Sequence, residues 1–222
     1  MTYGVIIDGV NTKTEYGLIL CADLSISKPD PKTHYVSVPE MNGALDLTES
    51  LTGTVTYGQR NITFNLFAAA DVLGGTETPP DEHNFAIMIS RFSEYVHGKR
   101  RKIFFPDDTE FGYEGRFTVG ARGSYHSGLV PVKMVADAYK VKDPQTKDLS
   151  TSGTYTVENS GEEIYPVFTF SGTGTASVTI NGETVSLLPG ETLSTVPLRP
   201  GSNTVISSTS AALTMGYQER RL

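Results

Sequence analysis

The chain has little cysteine and no tryptophan. Cys21 is the one cysteine among 222 residues. A single cysteine excludes an intramolecular disulfide and any site built from several thiolates, so the fold must depend on its own apolar core. No run approaches the roughly 18 apolar residues of a membrane span, and the first residues lack the basic and then apolar pattern of a signal peptide. We therefore expect no membrane insertion and no signal-directed export.

Basic residues are also scarce, since 18 Lys and Arg stand against 25 Asp and Glu and leave a formal charge of −7. Nucleic-acid binding relies on clustered cations, so we expect no specific nucleic-acid binding. The basic run Lys99–Lys102 directly follows a predicted helix, where cations complement the helix dipole and bond the last carbonyls. This position favours a helix-end role over contact with a polyanion.

The residue patterns of catalytic and metal sites are missing. A Gly-x-Ser-x-Gly motif is absent, and the glycines at 172 and 174 lack the third glycine and the following helix of a dinucleotide site. The histidines occur singly, without spacing that would place two ligands on one helical face. They are His34, His83, His97 and His126. We predict no catalytic, metal or cofactor-binding residues, and therefore no enzyme.

Short strands and turns dominate what is present. The 22 glycines and 12 prolines predict many strands joined by turns, and residues 61–67 alternate between polar and apolar side chains as a half-buried strand does. One helix is predicted over 84–97, because its large apolar residues recur at spacings of three and four and so share one face. We therefore predict a fold that is mainly β, with one flanking α-helix.

The last third of the chain has a different composition and residue pattern. The segment around 144–153 is polar and carries Pro and Gly, which is typical of a linker. Beyond it the sequence shows no helical period, and Asn181-Gly182 between two alternating runs predicts a hairpin. We predict domains at 1–143 and 154–222 joined by the linker 144–153, with the second domain a small antiparallel β-sandwich.

The segment after the Asn42-Gly43 turn signal is unusually apolar for a loop, since it carries Leu45 and Leu47. Two interpretations are open. The leucines either enter the core of their own domain from an edge strand, or they bridge to a neighbouring copy through a heterologous contact. On the second interpretation the candidate interface residues are Leu45, Leu47, Thr48 and Leu51.

Several motifs occur in an order that resembles the distal tail protein (Dit) family of long-tailed phages. A valine-containing strand precedes Gly43-Ala-Leu-Asp-Leu-Thr-Glu49, a tyrosine and the strand at 61–67. The helix is followed by His-Gly-Lys, a short strand, an Asp-Asp turn and a strand that ends in Ala136-Asp-Ala-Tyr-Lys140. Near 159 an Asn-x-Gly segment leads to Tyr165-Pro166. The chain departs from the family at Ala138, where proline is usual, and at Gln218, where a basic residue is usual.

The resemblance implies a structural protein of the virion, located at the tail tip. It implies an N-terminal tail-tube-like β-sandwich or barrel and a galectin-like C-terminal module. The expected partners are further copies of the chain in a homohexameric ring, the tail tube protein and the tail-associated tip protein, with DNA passing through the bore.

An alternative function is a carbohydrate-binding baseplate or adhesin module that recognises a host-surface glycan. Sugars stack on exposed aromatic rings, and without tryptophan the candidates are Tyr165 and Tyr217.

Overall fold

The computed structural model describes residues 4–50, 53–68, 82–121 and 128–222. The chain divides into two compact units, Met1–Ala138 and Tyr139–Leu222. Both units consist mainly of β-strands, as predicted. The division after residue 138 falls a few residues before the predicted domain end at 143.

The described part of the first unit contains two helices and ten strands, and the last of these strands continues to residue 141. The helices are α1 (Thr12–Tyr16) and α2 (Glu82–Val96). The strands are β1 (Ile6–Ile7), β2 (Val10–Asn11), β3 (Leu18–Leu20), β4 (Ser25–Ile26), β5 (Tyr35–Ser37), β6 (Ala44–Asp46), β7 (Arg60–Ala68), β8 (Arg100–Phe105), β9 (Asp108–Val119) and β10 (Leu129–Val141).

Most of these strands form one antiparallel sheet, in the order β2-β1-β8-β9-β10-β7-β3, with β4 also paired to β7. The longest register among the described strands joins β7 to β10, from Leu129 opposite Phe67 to Ala136 opposite Arg60. The alternation predicted for residues 61–67 is confirmed, because Ile62, Phe64 and Leu66 are buried on one face.

Helix α2 covers this buried face of the sheet. Its buried side chains, Phe85, Met88, Phe92 and Val96, join the same core cluster as Phe64 and Leu66. Full burial of these four side chains contributes an upper bound of about 6–12 kcal/mol. The helix ends before Gly98, whose φ of 71° is left-handed, as expected of a C-cap. The proline-containing start signal at 79–81 lies outside the described residues.

Helix α1 was not predicted. Asn11 accepts a hydrogen bond from the backbone N–H of Lys13 at its start, and Gly17 ends it with a φ of 64°. Tyr16 packs edge-on against Phe92, with ring centroids 5.6 Å apart. The helix has five residues, too few for an apolar period, so only its capping residues could have indicated it.

The second unit contains nine strands, and eight of them form two small four-stranded sheets, while the ninth in chain order pairs with the end of β10. Its strands are β11 (Gln145–Asp148), β12 (Gly153–Asn159), β13 (Val167–Phe170), β14 (Ala176–Ile180), β15 (Glu183–Leu187), β16 (Gly190–Leu193), β17 (Gly201–Ser207), β18 (Leu213–Tyr217) and β19 (Arg220–Arg221). The sheets have the orders β11-β18-β13-β16 and β12-β17-β14-β15. Buried residues of both form one core cluster, the arrangement of an antiparallel sandwich.

Two details of this unit bear on the sequence predictions. The predicted hairpin is β14–β15, with Asn181 and Gly182 at φ values of 50° and 93°, the two positive values of a type I′ turn. Residues 145–148 lie in the predicted linker but form β11, which pairs with β18 from Gln145 opposite Tyr217 to Asp148 opposite Thr214. This polar edge strand is stabilised by backbone hydrogen bonds to β18. Its side chains show no apolar alternation, so the sequence pattern did not predict a strand here.

Glu219 is the most buried carboxylate of the second unit, at 3% exposure. It accepts hydrogen bonds from the Ser160 backbone N–H at 2.6 Å and from the Ser160 hydroxyl, and Lys142 Nζ lies 3.2 Å from it. Burial alone would raise the pKa of Glu219, but these bonds together hold it below its usual range. The carboxylate is therefore charged and paired near neutral pH.

Candidate assembly surface

The β5–β6 hairpin forms a two-stranded sheet of its own. Val36 lies directly opposite Leu45, so the two side chains share one side of the hairpin. The connection over 38–43 contains Glu40 and Gly43, with φ values of 66° and 94°. The Asn42-Gly43 signal thus lies in this turn, and the predicted apolar segment returns along the hairpin as β6.

The hairpin exposes large apolar side chains. Val38, Met41 and Leu45 are 41%, 45% and 44% exposed, and Val36 is half-buried. We call these four the apolar hairpin residues. Leu47 is half-buried, and neither it nor Leu45 belongs to the core cluster of the first unit or to the residues packed against it. The structure therefore does not place these leucines in the core of their own domain.

Thr48 and Asp46 close the base of the hairpin. The Thr48 hydroxyl accepts from the His34 backbone N–H at 3.0 Å, and the Leu47 N–H donates to the His34 carbonyl at 2.8 Å. The Asp46 carboxylate accepts from both the hydroxyl and the N–H of Thr48, and these bonds lower its pKa. Thr48 thus acts inside the hairpin base, while Leu51 lies outside the described residues.

The hairpin segment carries charge of one sign. Residues 33–59 contain no Lys or Arg, and they include the exposed acids Glu40, Asp46 and Glu49. Asp46 and Glu49 line an open depression of about 660 Å³ at the hairpin base. In the part of the chain that the structure describes, no three His, Cys, Asp or Glu side chains lie close enough to hold a metal ion.

The two tyrosines predicted as glycan contacts lie in different environments. Tyr165 is 51% exposed, and its hydroxyl donates to Glu163 Oε1 at 3.3 Å. Tyr217 packs against the core of the second unit, and its hydroxyl donates to Gln145 Oε1 at 2.8 Å. Burial and the nearby Glu219 raise the pKa of Tyr217. Of the two tyrosines, Tyr165 therefore offers the more open ring.

The basic run at the end of α2 is used within the unit. Lys99 Nζ and Arg101 Nε donate to the carbonyls of Glu94 and Tyr95, both at 2.6 Å. Arg101 also pairs with Asp8 at 2.7 Å, and Arg100 pairs with Asp137. These contacts agree with the helix-end role expected from the sequence. Neither described helix is long and apolar enough to span a membrane.

The sequence matches no protein-family model and no curated protein. The structure is similar to the crystal structure of the Dit protein of phage SPP1, described as a paradigm of the hub adsorption apparatus in phages that infect Gram-positive bacteria. The TM-score is 0.60 at 17% sequence identity, and the match covers 99% of each chain. The resemblance seen in the sequence is thereby confirmed for the fold: both units of this chain follow the architecture of a phage Dit protein.

Proposed function

We propose that this chain is a structural component of a phage tail tip or baseplate. Its copies form a homohexameric ring that joins the tail tube protein to the tail-associated tip protein and leaves a bore for DNA. The observation that carries this proposal is the structural match to a phage hub protein over 99% of both chains, because it extends across both units. The role is one of assembly in the virion, without bond-making chemistry.

The apolar hairpin residues support self-association. They expose large side chains outside the core of the first unit, and burying apolar surface against another copy is favourable by about 25 cal/mol per Å². A contact between two different patches of the same chain closes into a ring when the rotation between copies allows it. The candidate interface of Leu45 and Leu47 is consistent with such a contact.

Charge supports a conduit that holds DNA weakly. The chain has a formal charge of −7, and the main basic run is occupied by internal carbonyl and carboxylate contacts. A bore lined by such a protein would not retain a polyanion as it slides.

The test is the oligomeric state of a matched pair of variants. We expect the wild type to show a hexameric mass by light scattering and rings in negative stain. Leu45→Asp with Leu47→Asp should give a folded monomer by circular dichroism, because two desolvated charges oppose the contact. The control, Leu188→Asp with Leu193→Asp, changes two leucines of the second unit that are 64% and 65% exposed, and should keep the hexamer. A wild type that stays monomeric at high concentration contradicts the proposal.

Recognition of a host-surface glycan is a second candidate function, favoured by the open ring of Tyr165. The test is a glycan array of the wild type and of Tyr165→Ala. Binding that disappears in the variant would support this function, and an array without signal for the wild type would contradict it.

A further inference from the structure

The main sheet of the first unit has an apolar stripe on the face opposite α2. Phe67 and Leu129 are 41% and 37% exposed and lie directly opposite each other on β7 and β10. Ile19 of β3 is half-buried and pairs with Phe67 from the other side. Side chains of directly paired residues share one face, and Phe67 alternates with the core residues Phe64 and Leu66. We call Ile19, Phe67 and Leu129 the helix-free stripe.

A depression and an unpaired cation lie on the same sheet beside the stripe. The depression measures about 370 Å³ and is lined by Asn65, Gly120, Pro131 and Lys133, among others. Asp23 at its rim is hydrogen-bonded by the Asn65 amide. The Lys133 ammonium makes no hydrogen bond or ion pair with any described residue. This face of the sheet thus combines the stripe with a depression that is lined by the exposed Lys133 and by Asp23.

Within the described part of the first unit, exposed large apolar side chains occur in the hairpin, in this stripe and singly at Ile87 of α2. The hairpin also carries three acids and no cation, whereas the stripe lies near Lys133. The two patches therefore match in polarity, and the depression beside the stripe, which holds both Asp23 and Lys133, offers one cation to the acids of the hairpin. We infer that the helix-free stripe and its depression receive the β5–β6 hairpin of a neighbouring copy.

This inference rests on the proposed function and adds the receiving surface. A contact of hairpin with hairpin would bring two all-acidic segments together, and like charges across an interface are unfavourable. A contact of hairpin with stripe avoids that repulsion and gives every copy one donor patch and one acceptor patch. Such a heterologous contact generates rings, whereas a hairpin pair would stop at a dimer.

Mixing two defective variants tests this geometry. The donor variant is Leu45→Asp with Leu47→Asp, and the acceptor variant is Phe67→Glu with Leu129→Glu. Each should be monomeric alone. Their equimolar mixture should give a discrete heterodimer by light scattering, because the intact hairpin of one binds the intact stripe of the other and the contact cannot propagate further. The Leu188→Asp, Leu193→Asp control keeps both surfaces. Any contact that it makes with either variant should therefore join one intact hairpin to one intact stripe.

The outcomes separate this inference from the proposed function. If the acceptor variant keeps the wild-type hexamer while the donor variant is monomeric, the stripe is not the receiving surface and the ring proposal stands. A mixture that stays monomeric likewise overturns the inference. A monomeric wild type overturns both.

Lys133→Glu provides a second measurement should the acceptor variant fail to fold. Reversal of this exposed charge should weaken association roughly two- to fivefold at low salt, and less at high salt, as for a surface ion pair. An association constant that is unchanged at low salt would overturn the inference. Lys140→Glu, at the far end of β10, is the matched control and should leave association unchanged.

Discussion

The two units of this chain differ in what covers their β-sheets. The first unit has one large sheet covered by a helix on one face, and most of the exposed large apolar side chains in its described part lie on the hairpin and the helix-free stripe. The second unit closes two four-stranded sheets on a single core. It carries five acids and only Arg199 between residues 149 and 218. Under the proposed function we expect association to depend on the first unit, although the second unit also exposes large apolar side chains such as Leu188 and Leu193.

The largest expected effect comes from separating the units. A chain of residues 1–138 should form the same oligomer as the full protein, and residues 139–222 should be monomeric. The cut falls at 138 because β11 and the end of β10 pair with strands of the second unit. Light scattering with circular dichroism measures both. An oligomeric second unit would reverse the assignment.

Core substitutions should show that each unit has its own stability. Phe92→Ala in α2 and Phe168→Ala in β13 each empty a site that is 0% exposed, and each should cost about 3–5 kcal/mol. Hydrogen exchange should show the loss of protection confined to the unit that carries the substitution. Ile87→Ala, at an exposed position of the same helix, is the control and should change stability by less than about 0.5 kcal/mol. Equal losses in both units would contradict the comparison.

Acid should weaken the second unit through Glu219. Because the folded-state pKa of Glu219 is depressed, its contribution is present above the ordinary glutamate value near 4.3 and is lost as pH falls through the folded pKa. Glu219→Gln should therefore destabilise the unit at pH 7 by about 1–3 kcal/mol, the cost of disrupting a buried bonded charge. Urea unfolding at pH 7 and at pH 3 measures this. The difference between wild type and variant should shrink at pH 3, and a difference independent of pH would contradict the assignment.

The smallest effect is expected at the hairpin base. Thr48→Val removes the hydroxyl that bonds His34 and Asp46 and should cost about 0.5–1.5 kcal/mol, restricted to the hairpin. Amide exchange at His34 and Leu47 should accelerate while the core of α2 stays protected. Exchange that is unchanged at these amides would show that the bonds do not hold the hairpin.

The sequence predicted those elements that have a clear local residue pattern. The 82–96 helix has a long apolar period, and the Asn181-Gly182 turn has residues that tolerate positive φ, so both were found within two residues of their observed positions. Helix α1 is a single short turn, and β11 is a polar edge strand, so neither has a periodic signal.

The candidate surface was predictable only in part. Leu45 and Leu47 stood out because a turn signal preceded an apolar run. The helix-free stripe could not be found, because Ile19, Phe67 and Leu129 come from three distant segments and become neighbours only through the registers of β3, β7 and β10. Such long-range pairing is decided by tertiary packing and not by local residue preference.

The all-acidic character of the hairpin also bears on the unassembled chain. An exposed apolar β-hairpin is a template for indiscriminate strand addition, and charged residues beside it keep free molecules apart. Glu40, Asp46 and Glu49 supply that repulsion without any cation between residues 33 and 59. Solubility of the free protein should therefore fall when these three acids are replaced by neutral residues.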